Sequence, residues 1–148
     1  MSGRHLRFQP RLSEGRWLRE GGWATAMMDV SDGLAADLPR LAAASGVGVE
    51  IEAEAIPVSA AAKRAVTVAG MRSGLAHALG DGEDFELVFT VAERKAAAFA
   101  KAWRRRFRLP CSAIGRITRL AGRVVLREGG RIVPLAASGY EHFRPDAR

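Results

Sequence analysis

The sequence has 148 residues, 48% of them hydrophobic, with 23 lysines and arginines against 16 aspartates and glutamates. This length and composition fit one domain with an apolar core, which excludes disorder over most of the chain. No uncharged apolar run approaches the ~18 residues of a membrane helix, and the N-terminus lacks the apolar segment of a secretory signal. A single cysteine excludes a disulfide framework and a multi-cysteine metal site. We therefore expect a soluble cytoplasmic domain without membrane contact.

The net charge of +7 comes from arginine, since Lys63, Lys95 and Lys101 are the only lysines. The densest basic run is RRRFR at 104–108, where an aromatic residue is interleaved with arginines as in nucleic-acid-binding surfaces. The same run falls at the end of a predicted helix, where cations interact favourably with the helix dipole. Because a single segment is basic, we favour a solvated helix end over a nucleic-acid site.

Periodicity and turn residues define the elements of the first half of the chain. Leu34, Leu38 and Leu41 recur at helical spacing, and Gly46 is a residue type that ends helices. The next segment alternates apolar and polar residues, as a half-buried strand does. The first half is therefore predicted to contain a helix at Ser13–Glu20 capped by Ser13, a buried strand at Ala24–Val30, a helix that Asp32–Gly33 opens and Gly46 ends, and a strand at Val47–Ala53.

Strands dominate the last third of the chain. Glu93–Phe107 has the clearest helical spacing, and Gly129-Gly130 is typical of a two-residue hairpin turn. The second half is predicted to contain a helix from Ser59 to about Ala69, a helix at Gly74–Leu79, a strand at Phe85–Val91, a helix at Glu93–Phe107, and strands at Ser112–Ile117, Arg123–Arg127 and Arg131–Leu135. Interleaved helices and strands that end in a hairpin predict an α+β fold, a mixed β-sheet with packed helices. Without repeats or a long linker, residues 1–148 are expected to form a single domain.

An acidic motif, Asp-Val-Ser-Asp-Gly at 29–33, stands where a predicted strand feeds a helix. Asp29 and Ser31 face the same side of an extended chain. A helix N-terminus attracts anions, and carboxylates beside it recruit Mg²⁺, which bridges to phosphate oxygens. In the structural alternative, Ser31 or Asp32 caps the helix and Asp29 is a buried, hydrogen-bonded acid. The spacing by itself favours this second interpretation.

A second acidic motif, Gly-Glu-Asp-Phe-Glu-Leu at 82–87, precedes an apolar strand. Glu83 and Asp84 lie at the mouth of that strand, where ligands often meet sheets. A carboxylate there accepts a hydrogen bond from a ligand amine, or acts as a base when its pKa is raised. The alternative is a solvated turn, which the spacing alone favours. Neither motif is specific as a bare pattern, but the occurrence of both is more than random.

Five segments of the sequence form a family pattern: RHLRFQPRL at 4–12, TAMMDVSDGLAADL at 25–38, GEDFELVFTV at 82–91, IGRI at 114–117 and GYEHF at 139–143. On these segments, most of the chain resembles the C-terminal half of thiamine-monophosphate kinase. The first acidic motif is shared with aminoimidazole ribonucleotide synthetase, selenophosphate synthetase and the hydrogenase maturation protein, which are built on the same two-domain plan. The second acidic motif followed by the GYEHF tail is similar to the thiamine enzyme in particular. The implied fold is the C-terminal domain of the aminoimidazole ribonucleotide synthetase-like superfamily.

The resemblance implies ATP-dependent phosphorylation of thiamine monophosphate to thiamine diphosphate, with Mg²⁺ and without a covalent enzyme intermediate. Such phosphoryl transfer depends mostly on positioning and charge neutralisation. By motif, Asp29 and Asp32 resemble Mg²⁺ ligands, and Ser31 resembles a contact to the nucleotide phosphates. Glu83 resembles the family's acid on the aminopyrimidine of thiamine, and Tyr140 an aromatic residue that packs on the substrate ring. No residue of this chain is assigned a covalent catalytic role.

Two departures from the family pattern bear on these expectations. Asp81 stands where the family usually has a glycine, which adds a charge beside Glu83 and changes the local backbone freedom. The glycine-rich GDD-type segment of the family's N-terminal half, which holds ATP and most of the metal, has no counterpart in these 148 residues. We therefore expect the substrate-side C-terminal domain of a two-domain kinase, inactive without its N-terminal ATP- and Mg²⁺-binding domain.

Two further expectations concern partners, and two concern alternative functions. The missing N-terminal half is the first partner, and the apolar face that would contact it favours self-association when exposed. A non-catalytic module that binds a thiamine phosphate or another partner is the first alternative function. A basic nucleic-acid-binding domain is the second, although the acidic motifs disfavour it because carboxylates repel a phosphate backbone.

Overall fold

The computed structural model describes residues 9–65 and 73–135. Within them no helix is long and apolar enough to cross a membrane. The elements follow in the order α1 Leu12–Glu20, β1 Ala24–Val30, α2 Leu34–Ser45, β2 Gly48–Glu52, α3 Ala60–Ala65, α4 Gly74–Gly80, β3 Glu86–Val91, α5 Ala96–Arg106, β4 Gly115–Thr118, β5 Val124–Glu128 and β6 Arg131–Pro134. Short 3₁₀ turns at Ala53–Ala55 and Glu93–Lys95 follow β2 and precede α5.

The strands form two sheets rather than one. β1 and β3 pair antiparallel as a two-stranded sheet, and the other four strands form a second sheet in the order β4-β2-β5-β6. In the second sheet β2 runs parallel to β5, whereas β4 and β6 are antiparallel to their neighbours. The predicted α+β class with a mixed sheet and packed helices is confirmed.

Helix α2 forms the centre of the main core, where it packs against β1, β2, β5 and α4. Its periodic leucines face inward as predicted, since Leu34 and Leu38 are buried and Leu41 is half-buried. Gly46 ends the helix in the left-handed conformation, with a φ of 63°. The buried members of this core cluster are Val30, Leu34, Ala35, Leu38, Ala42, Val49, Ile51, Ala53, Ile56, Leu79, Leu126 and Leu135.

An aromatic cluster fills the opposite side of the two-stranded sheet, between that sheet and helices α1 and α5. Its rings are those of Trp17, Trp23, Phe89, Phe99, Trp103 and Phe107. Phe107 stands edge-on to Trp17 at 5.4 Å and lies 4.7 Å from the Trp103 ring. The aromatic residue of the basic run therefore packs inside the domain, while the neighbouring Arg104 and Arg105 are exposed. This arrangement supports the solvated helix end.

Three local predictions were wrong in instructive ways. Helix α1 begins after Arg11, and the Ser13 hydroxyl donates to Glu14 instead of capping the helix. The strand Ala24–Val30 has the predicted bounds but is only half-buried, with Val30 its one fully buried residue. Strand β2 was predicted to be half-buried and is almost fully buried. It is a central strand, and its Glu50 is buried in an ion-pair network.

One predicted helix cap and one predicted hairpin turn are present, whereas two other predicted features lie outside the described residues. The predicted Ser59 cap is present, since the Ser59 hydroxyl accepts from the Ala62 amide at 3.0 Å. The remainder of that helix, to Ala69, lies outside the described residues, as does the GYEHF tail with Tyr140. Both glycines of the Gly129-Gly130 turn have positive φ, which agrees with the predicted hairpin between β5 and β6.

Candidate functional site

The loops that carry the two acidic motifs lie directly against each other. The Glu83 amide donates to the Ser31 carbonyl at 2.7 Å, and the Phe85 amide donates to the Val30 carbonyl at 2.9 Å. These bonds continue the β1–β3 ladder, in which Val30 pairs with Glu86, beyond the ends of both strands. The structure thus brings Ser31 and Glu83 into adjacent backbone segments.

Two glycines make this close approach possible. A Cβ at Gly33 would lie 2.9 Å from the Leu79 carbonyl oxygen, and a Cβ at Gly82 would lie 2.9 Å from the Ser31 carbonyl oxygen. Both glycines also have positive φ, at 99° and 63°. A side chain at position 82 would push the two loops apart, and one at position 33 would displace the end of α4, so each motif needs its glycine.

The second loop holds strained backbone beside these glycines. Glu83 and Phe85 have φ values of 57° and 48°, and they are the non-glycine residues with positive φ among those that the structure describes. Such conformations cost roughly 1–3 kcal/mol each and concentrate at functional sites. Asp81 has a φ of −76°, so the aspartate at the family's usual glycine position requires no glycine-like freedom. Its carboxylate lies 2.7 Å from Nδ1 of His77.

The predicted helix cap is wrong, and the bonding runs in the opposite direction. Helix α2 follows Gly33 without a side-chain cap, so neither Ser31 nor Asp32 caps it. Instead Asp37, the fourth residue of the helix and fully buried, reaches back to the loop. Its Oδ2 accepts from the amides of Ser31 at 2.9 Å and Asp32 at 3.0 Å.

Arg40 joins the two carboxylates next to this loop. Its Nη1 donates to Asp37 Oδ1 at 2.8 Å and also to Asp32 Oδ2. The hydrogen bond that Arg40 donates to Asp32 is the main reason why the pKa of the Arg40 guanidinium is raised. A permanent cation therefore sits on the carboxylate that the motif assigns to a metal.

Asp29 lines a groove to which Asp32 does not contribute. It is exposed at the end of β1, so its interpretation as a buried acid is wrong. The side chain contributes to an open groove of about 730 Å³ between α1 and the two-stranded sheet. The groove is lined by Pro10, Arg11, Leu12, Gly15, Arg16, Arg19, Met27, Asp29, Phe85 and Leu87. Arg11 is bound through two nitrogens to the Glu86 carboxylate, at 2.7 and 2.8 Å.

Asp29 and Asp32 are the side chains that the motif assigns to a magnesium ion. Within the described residues no three acidic, histidine or cysteine side chains are grouped for a metal. Mg²⁺ needs fewer protein ligands, because one or two carboxylates suffice when waters and substrate phosphates complete the shell. Exposed Asp29 and half-buried Asp32 supply oxygen donors of this kind, so they fit, with Arg40 as a competing cation on Asp32.

The fold and these loops define the class to which the chain belongs. It is a member of the AIR synthase related protein family, because the model of that family's C-terminal domain matches residues 4–126. The hydrogenase maturation protein HypE shares the fold, with a TM-score of 0.63 at 19% identity over 88% of this chain and 42% of that protein.

Thiamine-monophosphate kinases are the relatives that carry the resemblance further. The enzyme of Rhodopirellula baltica is 38% identical over 97% of this chain and 44% of its own length. That of Escherichia coli K12 is 38% identical over 95% of this chain and 41% of its own. This chain therefore spans about two fifths of the relatives that it matches.

Solved structures agree with this assignment. The thiamine-monophosphate kinase of Stenotrophomonas maltophilia superposes with a TM-score of 0.70 at 36% identity, over 84% of this chain and 37% of that one. AaThiL complexed with AMPPCP and TMP gives a TM-score of 0.72 at 33% identity, over 95% of this chain and 40% of that one. The similarity to thiamine-monophosphate kinase inferred from the motifs is confirmed.

Proposed function

We propose that this chain is the C-terminal, substrate-side domain of a cytoplasmic thiamine-monophosphate kinase, with residues 1–148 as a single domain. The observation that carries the proposal is the backbone contact between the two acidic loops, which puts the candidate nucleotide and substrate residues in adjacent segments. The relatives named above are 38% identical to this chain over 95–97% of its length. A complex of one such relative with AMPPCP and TMP supports ATP and thiamine monophosphate as the ligands.

The proposed roles follow from the chemistry of each side chain. Asp29 and Asp32 would hold Mg²⁺, which neutralises phosphate charge when it is bound. The Ser31 hydroxyl donates to a phosphate oxygen of the nucleotide. The Glu83 carboxylate accepts a hydrogen bond from the aminopyrimidine amine, and Tyr140 packs on the substrate ring.

The proposed division of labour leaves ATP binding mostly to the N-terminal half of the enzyme. That half also gives a reason for the apolar side chains at the surface. Leu12 is 78% exposed at the edge of the groove beside Asp29, and Ile132 and Val133 are exposed on the edge strand β6. We propose that the N-terminal half covers some of these exposed apolar side chains, and that the chain self-associates without it.

Reconstitution tests this function. The purified chain is assayed for thiamine diphosphate formation alone and after addition of a separately expressed N-terminal half of the Rhodopirellula baltica relative. We expect no turnover by the chain alone and ATP-dependent turnover in the mixture, here called the reconstituted enzyme. Robust turnover by the chain alone would overturn its role as a half-enzyme.

A binding measurement separates the alternatives. Calorimetric binding of thiamine monophosphate without turnover in any mixture would favour the non-catalytic module. Salt-dependent binding of a duplex or single-stranded nucleic-acid probe, with no thiamine monophosphate binding, would favour the nucleic-acid-binding domain.

A further inference from the structure

We propose that Asp37 is a positioning residue whose buried carboxylate fixes the Ser31–Asp32 backbone. Through this backbone it also sets the direction of the Ser31 and Asp32 side chains, the candidate phosphate- and metal-binding groups. Asp37 has 0% of its surface exposed. One of its oxygens accepts both loop amides, and the other accepts Arg40. The inference rests on the proposed function for what the loop binds, but the loop conformation itself is independent of it.

The location of the two amides separates positioning from ordinary capping. An N-cap side chain satisfies free N–H groups inside the first turn of its own helix. The amides that Asp37 accepts belong to Ser31 and Asp32, which precede Gly33 and lie outside the helix. Helix α2 therefore gains little from these bonds, whereas the loop gains a fixed conformation.

Burial of the carboxylate points the same way. An ionised carboxylate among apolar side chains carries a large desolvation cost unless hydrogen bonds compensate it. Leu34 and Leu38 of the same helix are buried in the main core. A leucine or alanine at position 37 would serve that core without the cost, so the charge has its use in the loop.

Arg40 extends the positioning from the backbone of the loop to a side chain. The same Nη1 of Arg40 donates to Asp37 and to Asp32. Asp37 therefore positions Arg40, and Arg40 in turn positions the Asp32 carboxylate. A divalent cation at Asp32 must compete with this guanidinium. Removal of Asp37 and removal of Arg40 are therefore expected to change cation affinity in opposite directions.

The experiment uses the 148-residue chain. Mn²⁺ is the paramagnetic probe for the cation, and hydrogen exchange of the Ser31 and Asp32 amides is the probe for the loop. Asp37→Ala should accelerate exchange of both amides and weaken Mn²⁺ binding, each at least tenfold. Arg40→Gln should tighten Mn²⁺ binding while leaving the Ser31 amide protected.

The double variant Asp37→Asn/Arg40→Gln is the matched control. The asparagine oxygen can still accept the two loop amides, while its NH₂ group donates to the glutamine oxygen at position 40. Amide protection should therefore return to within about threefold of the unmodified chain, a residual of less than 1 kcal/mol. Asp37→Asn alone should be worse than the double variant, because its NH₂ group then faces the Arg40 donors.

Two results would overturn the inference. The first is an Asp37→Ala chain with a lower melting temperature but unchanged amide exchange and Mn²⁺ affinity, which is the behaviour of a merely structural residue. The second result applies if Asp37→Ala fails to fold. It is a double variant, Asp37→Asn/Arg40→Gln, in which the protection of the Ser31 and Asp32 amides does not return. Absence of Mn²⁺ binding by the unmodified chain would count against the proposed metal ligands, while amide exchange would still decide the role of Asp37.

Discussion

Asp37 beside the acidic loops and Glu50 in the four-stranded sheet are the buried carboxylates among the described residues, and their partners differ. Asp37 accepts two backbone amides of a loop and one arginine. Glu50, at 8% exposed, instead binds two arginines on the neighbouring strands, Arg116 of β4 and Arg127 of β5. The first acid orients a loop, whereas the second joins three strands, so burial of a charge does not by itself mark a functional site.

The largest effect on turnover is expected from the acids of the loop region. Asp32→Asn in the reconstituted enzyme should lower kcat by about 100-fold or more, since a metal held by charge supplies several kcal/mol of transition-state stabilisation. Its unfolding midpoint should stay near that of the unmodified chain, because the amide keeps the shape of the carboxylate. Steady-state kinetics and thermal unfolding measure the two quantities. Near-native kcat with a much lower midpoint would mean that Asp32 is a structural residue.

The next largest effect is expected from Glu83, which is proposed to bind thiamine monophosphate and not ATP. Glu83→Gln should raise the KM for thiamine monophosphate about 10- to 100-fold, as expected for loss of a charge-assisted hydrogen bond worth ~1.5–3 kcal/mol. The KM for ATP should change little. Both constants are measured in the reconstituted enzyme, with Glu93→Gln on the surface as a matched control. A change confined to ATP would reverse the assignment of this loop.

A smaller effect is expected from Tyr140→Ala, which removes an aromatic ring but no charge. Ring stacking contributes about 0.5–1.5 kcal/mol beyond its buried area, so the KM for thiamine monophosphate should rise about 2- to 10-fold. Tyr140→Phe keeps the ring and serves as the control. Equal losses in the two variants would show that the hydroxyl, rather than the ring, makes the contact.

The smallest effect on turnover and a clear effect on stability are expected at Glu50. Hydrogen bonds from Arg116 and then Arg127 hold the pKa of Glu50 below its ordinary value of 4.5. The folded state therefore favours the ionised carboxylate, and this stabilisation is complete above pH 4.5 and is lost as the pH falls through the lowered pKa.

Glu50→Gln should accordingly lower the unfolding midpoint near neutral pH and leave kcat unchanged in the reconstituted enzyme. The midpoint difference between the variant and the unmodified chain should shrink as the pH is lowered. Thermal unfolding across an acidic pH series measures it. A difference that stays constant with pH, or a loss of kcat at constant stability, would remove the contrast with Asp37.

Local pattern was sufficient for the elements but not for their burial. Ala24–Val30 was predicted with the observed bounds, because an apolar run ending in an acid is a local signal. The burial of Glu50 was not predicted, because an acid that alternates with Val49 and Ile51 is typical of a solvent-exposed position. Its partners Arg116 and Arg127 lie far along the chain.

The candidate site was predicted in its residues but not in its construction. The motif strings located Ser31, Asp32 and Glu83, but the bond between the two loops depends on the β1–β3 register, a long-range property. Asp37 was missed because it looked like an ordinary helical residue. An acid in the first turn of α2 was the available signal, since such acids often satisfy amides at a helix start.

The placement of the tryptophans has a spectroscopic consequence. All three, Trp17, Trp23 and Trp103, belong to the aromatic cluster, and the main core around α2 contains none. Tryptophan fluorescence therefore reports the packing of α1 and α5 and does not report on α2. Far-ultraviolet circular dichroism reports on every helix. The β1–β3 sheet lies between the two clusters and couples them, so coincident denaturation curves from both methods would show that this thin layer transmits cooperativity across the whole domain.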